Sequence, residues 1–97
     1  MDDLTAERLA ANERRFREIN ERMREDLRGL TDDTELIPFV CECSALSCRE
    51  GVALRLGEYE AVRADERHFA VVHGHDLPAV ERIVGRTDRY LVVEKLP

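Results

Sequence analysis

Tryptophan is absent from the 97-residue chain, and Phe and Tyr together make up 5% of it. So few aromatics exclude the stacking platforms that hold single-stranded nucleic acids. Lysine is almost absent as well: 14 of the 15 basic residues are Arg, alternating with Glu and forming no patch. With 21 acidic residues and a net charge of −6, the chain has no basic stripe to neutralise phosphates. These charges read as a solvated surface, and the expected partner is a protein, with no nucleic acid and no membrane. No apolar run nears the roughly 18 residues of a membrane span, and the acidic, Arg-rich start does not read as a signal peptide. The expected location is therefore cytoplasmic, where thiols stay reduced.

The chain is also short. Ninety-seven residues suit one domain with a small core, for which a metal is a reasonable extra constraint. Residues 1–30 form an N-terminal amphipathic helix in this reading, with Thr5 as cap and Gly29 near its end. At 100° per residue, Leu9, Phe16, Ile19, Met23, Leu27 and Leu30 share about 80° of arc, and Asn12 lies on the same stripe. So narrow a stripe suits either docking on the chain's own sheet or contact with a protein partner or homodimer. Thr31–Thr34 is an acidic linker.

Residues 36–97 then read as a small α+β domain. Phe39–Cys43, Val52–Leu56 and His68–Val72 suit strands, and Glu58–Ala64 a short helix with Tyr59 and Val62 inward. Val80–Val84 and Tyr90–Glu94 suit a hairpin around Gly85–Asp88, although Pro78 also permits a helix over 78–84. The expected fold class is α+β: a long N-terminal helix, then a small, mostly antiparallel sheet with one short helix, stabilised by zinc.

What the chain does concentrate is thiol. Cys41, Cys43 and Cys48 fall within eight residues, and His73-Gly74-His75 follows some 25 residues later. In a reducing compartment such a cluster points to a metal before it points to disulfides. Residues two apart on a strand face one side, so Cys41 and Cys43 can reach one ion while Glu42 points away. The following turn returns Cys48, and a strand end at Gly74 delivers a histidine, His73 or His75, as fourth ligand. Three thiolates and an imidazole are a structural zinc set with every tetrahedral position filled. Buried packing thiols or a Cys41/Cys43 redox pair are the competing readings, and an iron–sulfur cluster would want a fourth Cys. Asp76 is a candidate support for the histidine, and His68 reads as a surface residue.

The chain lacks H-E-x-x-H, a Gly-rich phosphate loop and the zinc-deaminase pattern. Glu58, Glu60, Glu81 and Glu94 read as exposed charges with no fixed pairing, so no catalytic role is assigned and no enzyme is expected. Phe39–Cys43, Cys48-Arg49-Glu50, Glu58–Arg63, Gly74-His75, Val80–Val84 and Tyr90–Lys95 together resemble a group of short actinobacterial proteins of no established activity. In that group Pro often stands at the position of His73 while Gly-His recurs, which implies His75 as the ligand. Gly57 departs from the Thr or Ser cap that the group implies. The expected function is a regulatory or adaptor module acting through protein contacts; a zinc- or redox-responsive sensor using the cysteine cluster is the alternative.

Overall fold

A computed structural model describes residues 6–43, 45 and 48–96. The elements run α1 (Ala6–Leu27), β1 (Ile37–Val40), β2 (Gly51–Leu54), α2 (Leu56–Arg63), β3 (His68–Val71), β4 (Glu81–Arg86) and β5 (Leu91–Lys95). Two antiparallel sheets result, β1-β2 and β3-β5-β4, giving the α+β class.

The long helix ends at Leu27, not at residue 30. Gly29, at φ +82°, turns the chain out of it, and Leu30 bonds back to the Leu27 carbonyl at 2.9 Å. Thr5 and the side chain of Leu9 lie outside the described residues. The inward face of α1 runs through Glu13, Phe16, Asn20, Met23 and Leu27, at alternating spacings of three and four. Phe16 is buried, and Met23 and Leu27 pack against the chain's own core. Ile19, expected on this stripe, is 43% exposed, and Leu30 is 77% exposed. Polar Glu13 and Asn20 occupy the inward positions because each finds buried partners on the sheets.

β1 and β2 begin and end earlier than their apolar pattern suggests, whereas β4 and β5 begin and end later. Pro38 sits in β1 opposite Ala53, on a two-stranded sheet with room for its missing N–H. β1 stops at Val40, so Cys41 and Cys43 lie just past its end. There the chain switches sheets: the Glu42 N–H donates to the Ala70 carbonyl of β3 at 2.9 Å. α2 starts at Leu56, two residues before the expected Glu58. The Arg55 N–H donates to Glu58 Oε1 at 2.8 Å, which supplies the start signal that Gly57 does not.

Tyr59 and Val62 face inward as expected, and the Tyr59 ring stacks on Phe39 with centroids 4.4 Å apart. The β4–β5 hairpin forms, closed by the Thr87 N–H bonding the Tyr90 carbonyl at 2.9 Å. The competing helix is reduced to one turn, in which Val80 and Glu81 bond the Leu77 carbonyl before β4 begins.

Candidate metal centre

Cys41, Cys43, Cys48 and His75 come together from three stretches of chain. Their donor atoms all lie within 4.8 Å of one another. His75 Nδ1 is 3.5 Å from Cys41 Sγ and 3.7 Å from Cys48 Sγ. Cys41 and Cys43 are buried, while Cys48 and His75 are half-buried at the rim.

Local backbone chemistry explains the arrangement. After β3 the chain makes a tight turn in which the His75 N–H bonds the Val72 carbonyl at 2.9 Å. Gly74 stands at its third position with φ +88°, which an L side chain adopts only under strain. That turn puts His75 on the cluster and sends His73 the other way, to the Thr87 carbonyl, 2.7 Å from Nε2. Backbone N–H groups support the sulfurs. Val72 donates to Cys41 Sγ at 3.3 Å, Ala45 supports Cys43 and Glu50 supports Cys48. Each such donor favours thiolate over thiol, the form that binds metal.

The three sulfurs share their protons unevenly. A hydrogen bond from Cys41 brings the Cys43 thiol down to about 5. Cys41 is pushed up, first because it donates that bond and then by burial; Cys48 is pushed up chiefly by burial. The His75 far nitrogen, Nε2, faces Glu50 Oε2 at 3.5 Å. A carboxylate in that place can fix the orientation of the ring. Glu50 therefore takes the supporting role for which Asp76 was the sequence candidate. Cys41, Cys43, Cys48 and His75 thus form a cluster compatible with a metal site.

No protein family, curated protein or solved structure matches the chain. The resemblance to the actinobacterial group therefore stays an expectation, and the reading of the site rests on this geometry.

A second set, Asp65, His68 and Glu94, also falls within 4.8 Å. It is an ion-pair network already served by protein cations: Arg67 approaches Glu94 at 3.0 Å and Arg82 at 2.7 Å, with His68 at 3.3 Å. His68 is accordingly half-buried, not a free surface residue. Glu94 is buried, and so is Glu81, against the expectation that both are exposed charges. Guanidinium bonds hold the Glu94 carboxyl low, while burial pushes Glu81 up to about 8. Composition shows none of this, since only the tertiary pairing decides which glutamates lose water.

The polar residues that brace the centre were equally hidden. Glu42 is fully buried, as are Asn20 of α1 and Tyr59 of α2 around it. The signal available for Asn20 was its position between Phe16 and Met23, one turn from each on the inward arc. No helix among the described residues is long and apolar enough to cross a membrane.

Proposed function

We propose that Cys41, Cys43, Cys48 and His75 hold one structural zinc ion in a non-enzymatic regulatory or adaptor module that acts through protein contacts. The spacing of the donor atoms supports the ion most directly. With Zn–S near ~2.3 Å and Zn–N near ~2.0–2.1 Å, a tetrahedron places sulfur and nitrogen about 3.5 Å apart. The separations of 3.5 and 3.7 Å from His75 Nδ1 match that requirement. Thiolate and imidazole donors favour zinc over magnesium or calcium, which take oxygen. Four protein ligands fill the tetrahedron, which favours a structural over a catalytic ion. Such an ion would staple the end of β1 to the Cys48 loop and the turn after β3, joining the two sheets.

Support for protein contacts comes from the outward side of the β1–β2 hairpin. Leu36 is 47% and Ile19 43% exposed. Phe16, Ile19, Pro38 and Val40 line a cleft of about 750 Å³ that also reaches Cys48. A concavity of that size and apolarity suits the side chains of another protein chain. A sensor is the second reading, favoured by the 28% exposure of the His75 side chain and the half-burial of Cys48. That rim leaves a route for zinc exchange or for oxidation of a thiolate.

Native mass spectrometry of protein purified without added metal tests the ion. One zinc per chain is expected, lost or weakened in His75→Ala; a folded wild-type chain free of zinc refutes the site. The same spectra test the contacts. Ile19→Glu is expected to abolish self-association while zinc stays bound, and assembly unchanged by the substitution counts against this face.

A further inference from the structure

Glu42 lies between two of the candidate ligands, yet its side chain points away from them and is fully buried. Three elements converge on its carboxylate. Asn20 Nδ2 of α1 donates at 2.9 Å, the Tyr59 hydroxyl of α2 at 2.6 Å and the Ala70 N–H of β3 at 3.0 Å. Asn20 also grips the strand end itself, donating from Nδ2 to the Val40 carbonyl at 2.7 Å and accepting from the Val40 N–H at 2.8 Å. A buried carboxylate is costly unless its donors are aimed at it. Its donors are aimed here only while residues 41–43 keep one backbone conformation.

Cys41 and Cys43 set that conformation. They face the metal centre on either side of Glu42, so fixing both sulfurs fixes where Glu42 points. We infer that Glu42 couples metal binding to the seating of α1, making zinc an effector of the long helix as well as a staple. The inference rests on the zinc reading of the site. Zinc bound to Cys41 and Cys43 holds Glu42 in the focus of Asn20, Tyr59 and Ala70. Zinc released, residues 41–43 relax, Asn20 loses its carboxylate and its hold on Val40, and α1 loosens. The surface then uncovered is Met23 and Leu27, now packed on the chain's own core, with buried Phe16 beside them. Coupling of this kind is reciprocal: whatever loosens the Glu42 contacts must weaken zinc by the same factor.

Tyr59→Phe is the sharpest test, because it removes the hydroxyl and keeps the ring stacked on Phe39. That hydroxyl bonds Glu42 and not a candidate ligand. Zinc affinity is measured by competition with a chromogenic chelator, and amide exchange across residues 13–27 is followed with and without zinc. Expected are a five- to tenfold loss of zinc affinity in Tyr59→Phe and a larger loss in Asn20→Ala, typical of couplings of about 1–3 kcal/mol. Faster exchange in α1 than in β5 is expected when zinc is removed from the wild type. Val93→Ala, a core truncation in β5, serves as control and should leave zinc affinity within twofold.

Affinity unchanged in both relay variants overturns the coupling and leaves the zinc site standing. So does zinc removal that leaves α1 exchange unaltered, or that speeds exchange equally everywhere. A wild-type chain that takes up no zinc overturns the site and the coupling together, and the first titration reveals it.

Discussion

Two of the polar points that fasten α1 to the sheets are built on opposite principles. Near its middle, Asn20 meets Glu42 in a set where each polar group has a partner of the right kind: amide, hydroxyl and backbone N–H against one carboxylate. Two turns earlier, Glu13 meets Glu81 and Lys95, two acids and one ammonium, with Lys95 Nζ 3.1 Å from Glu13 Oε1. Glu81 Oε1 accepts the Leu77 N–H at 3.0 Å, but Oε2 is buried without an N–H or hydroxyl donor. Burial first, and then the neighbouring Glu13 carboxyl, push Glu81 toward its protonated form, which can donate to Glu13. The first point is satisfied by neutral donors and, under the coupling proposed above, held in register by the metal centre. The second is satisfied by protonation. Under the proposed coupling, one helix carries a metal-dependent fastening and a pH-dependent one, and each is expected to break without the other.

The largest effect is expected at the metal end. In a small domain, metal binding contributes folding free energy directly. Stripping zinc, or Cys43→Ser, is expected to cost about 3 kcal/mol or more. That lowers the thermal midpoint by roughly 12 °C or more, at about 4–8 °C per kcal/mol for this size. Calorimetry with and without chelator decides it; a midpoint that stays within about 3 °C would leave the cluster without a structural role.

A finer cut separates ligand placement from general strain. Gly74 and Gly29 both have positive φ, +88° and +82°, and a Cβ at either meets nothing within 4 Å. Alanine at either position should therefore carry the same backbone strain, about 1–2 kcal/mol. Gly74→Ala also shifts His75, so zinc affinity should fall about tenfold, as 1.4 kcal/mol transmitted to the site implies. Gly29→Ala should leave zinc affinity unchanged. Equal zinc affinity in the two variants would mean that the turn does not place the histidine.

How these regions looked in sequence follows the same division. Three cysteines and Gly-His announce themselves, because few uses other than metal binding explain three thiols in eight residues of a chain expected to stay reduced. The strands, the short helix and the hairpin followed from period and turn residues, with ends shifted by up to three positions. The shift at β1 has a cause that lies outside local pattern: the chain leaves one sheet at Val40 to join the other at Ala70. Apolar residues alone put Ile19 on the inward face of α1 and leave Glu13 and Asn20 off it. Both polar residues are buried because of partners 22 to 82 positions away in the chain. Periodicity carries no trace of such partners. Glu50, which faces His75, was hidden by its proximity to Cys48, where any acid reads as surface.

The smallest effect expected is also the one whose sign is least usual. Glu81 faces Glu13 from α1, Lys95 from β5 and the Leu77 N–H from the preceding turn. Burial first, then the bond to Glu13, raises its carboxyl to about 8 from the ordinary 4.5. The folded state thus binds a proton that the unfolded chain has released, so this contribution is full below about 4.5 and is lost as pH rises through about 8. Glu58 and Glu94, held low by Arg89 and Arg82, act in the opposite sense, losing stability only as pH falls below the ordinary carboxylate range. Between pH 6.5 and 8.5 Glu81 should therefore dominate among these carboxyls, and stability should decline. Glu81→Gln keeps an acceptor for Leu77 and a permanent donor for Glu13, so its stability should stay flat across that window. The variant should exceed the wild type by about 1 kcal/mol at pH 8.5, the scale of one buried group left unsatisfied. Denaturant midpoints of zinc-saturated protein at the two pH values measure the difference. Parallel declines in both proteins would place the pH response elsewhere than at Glu81.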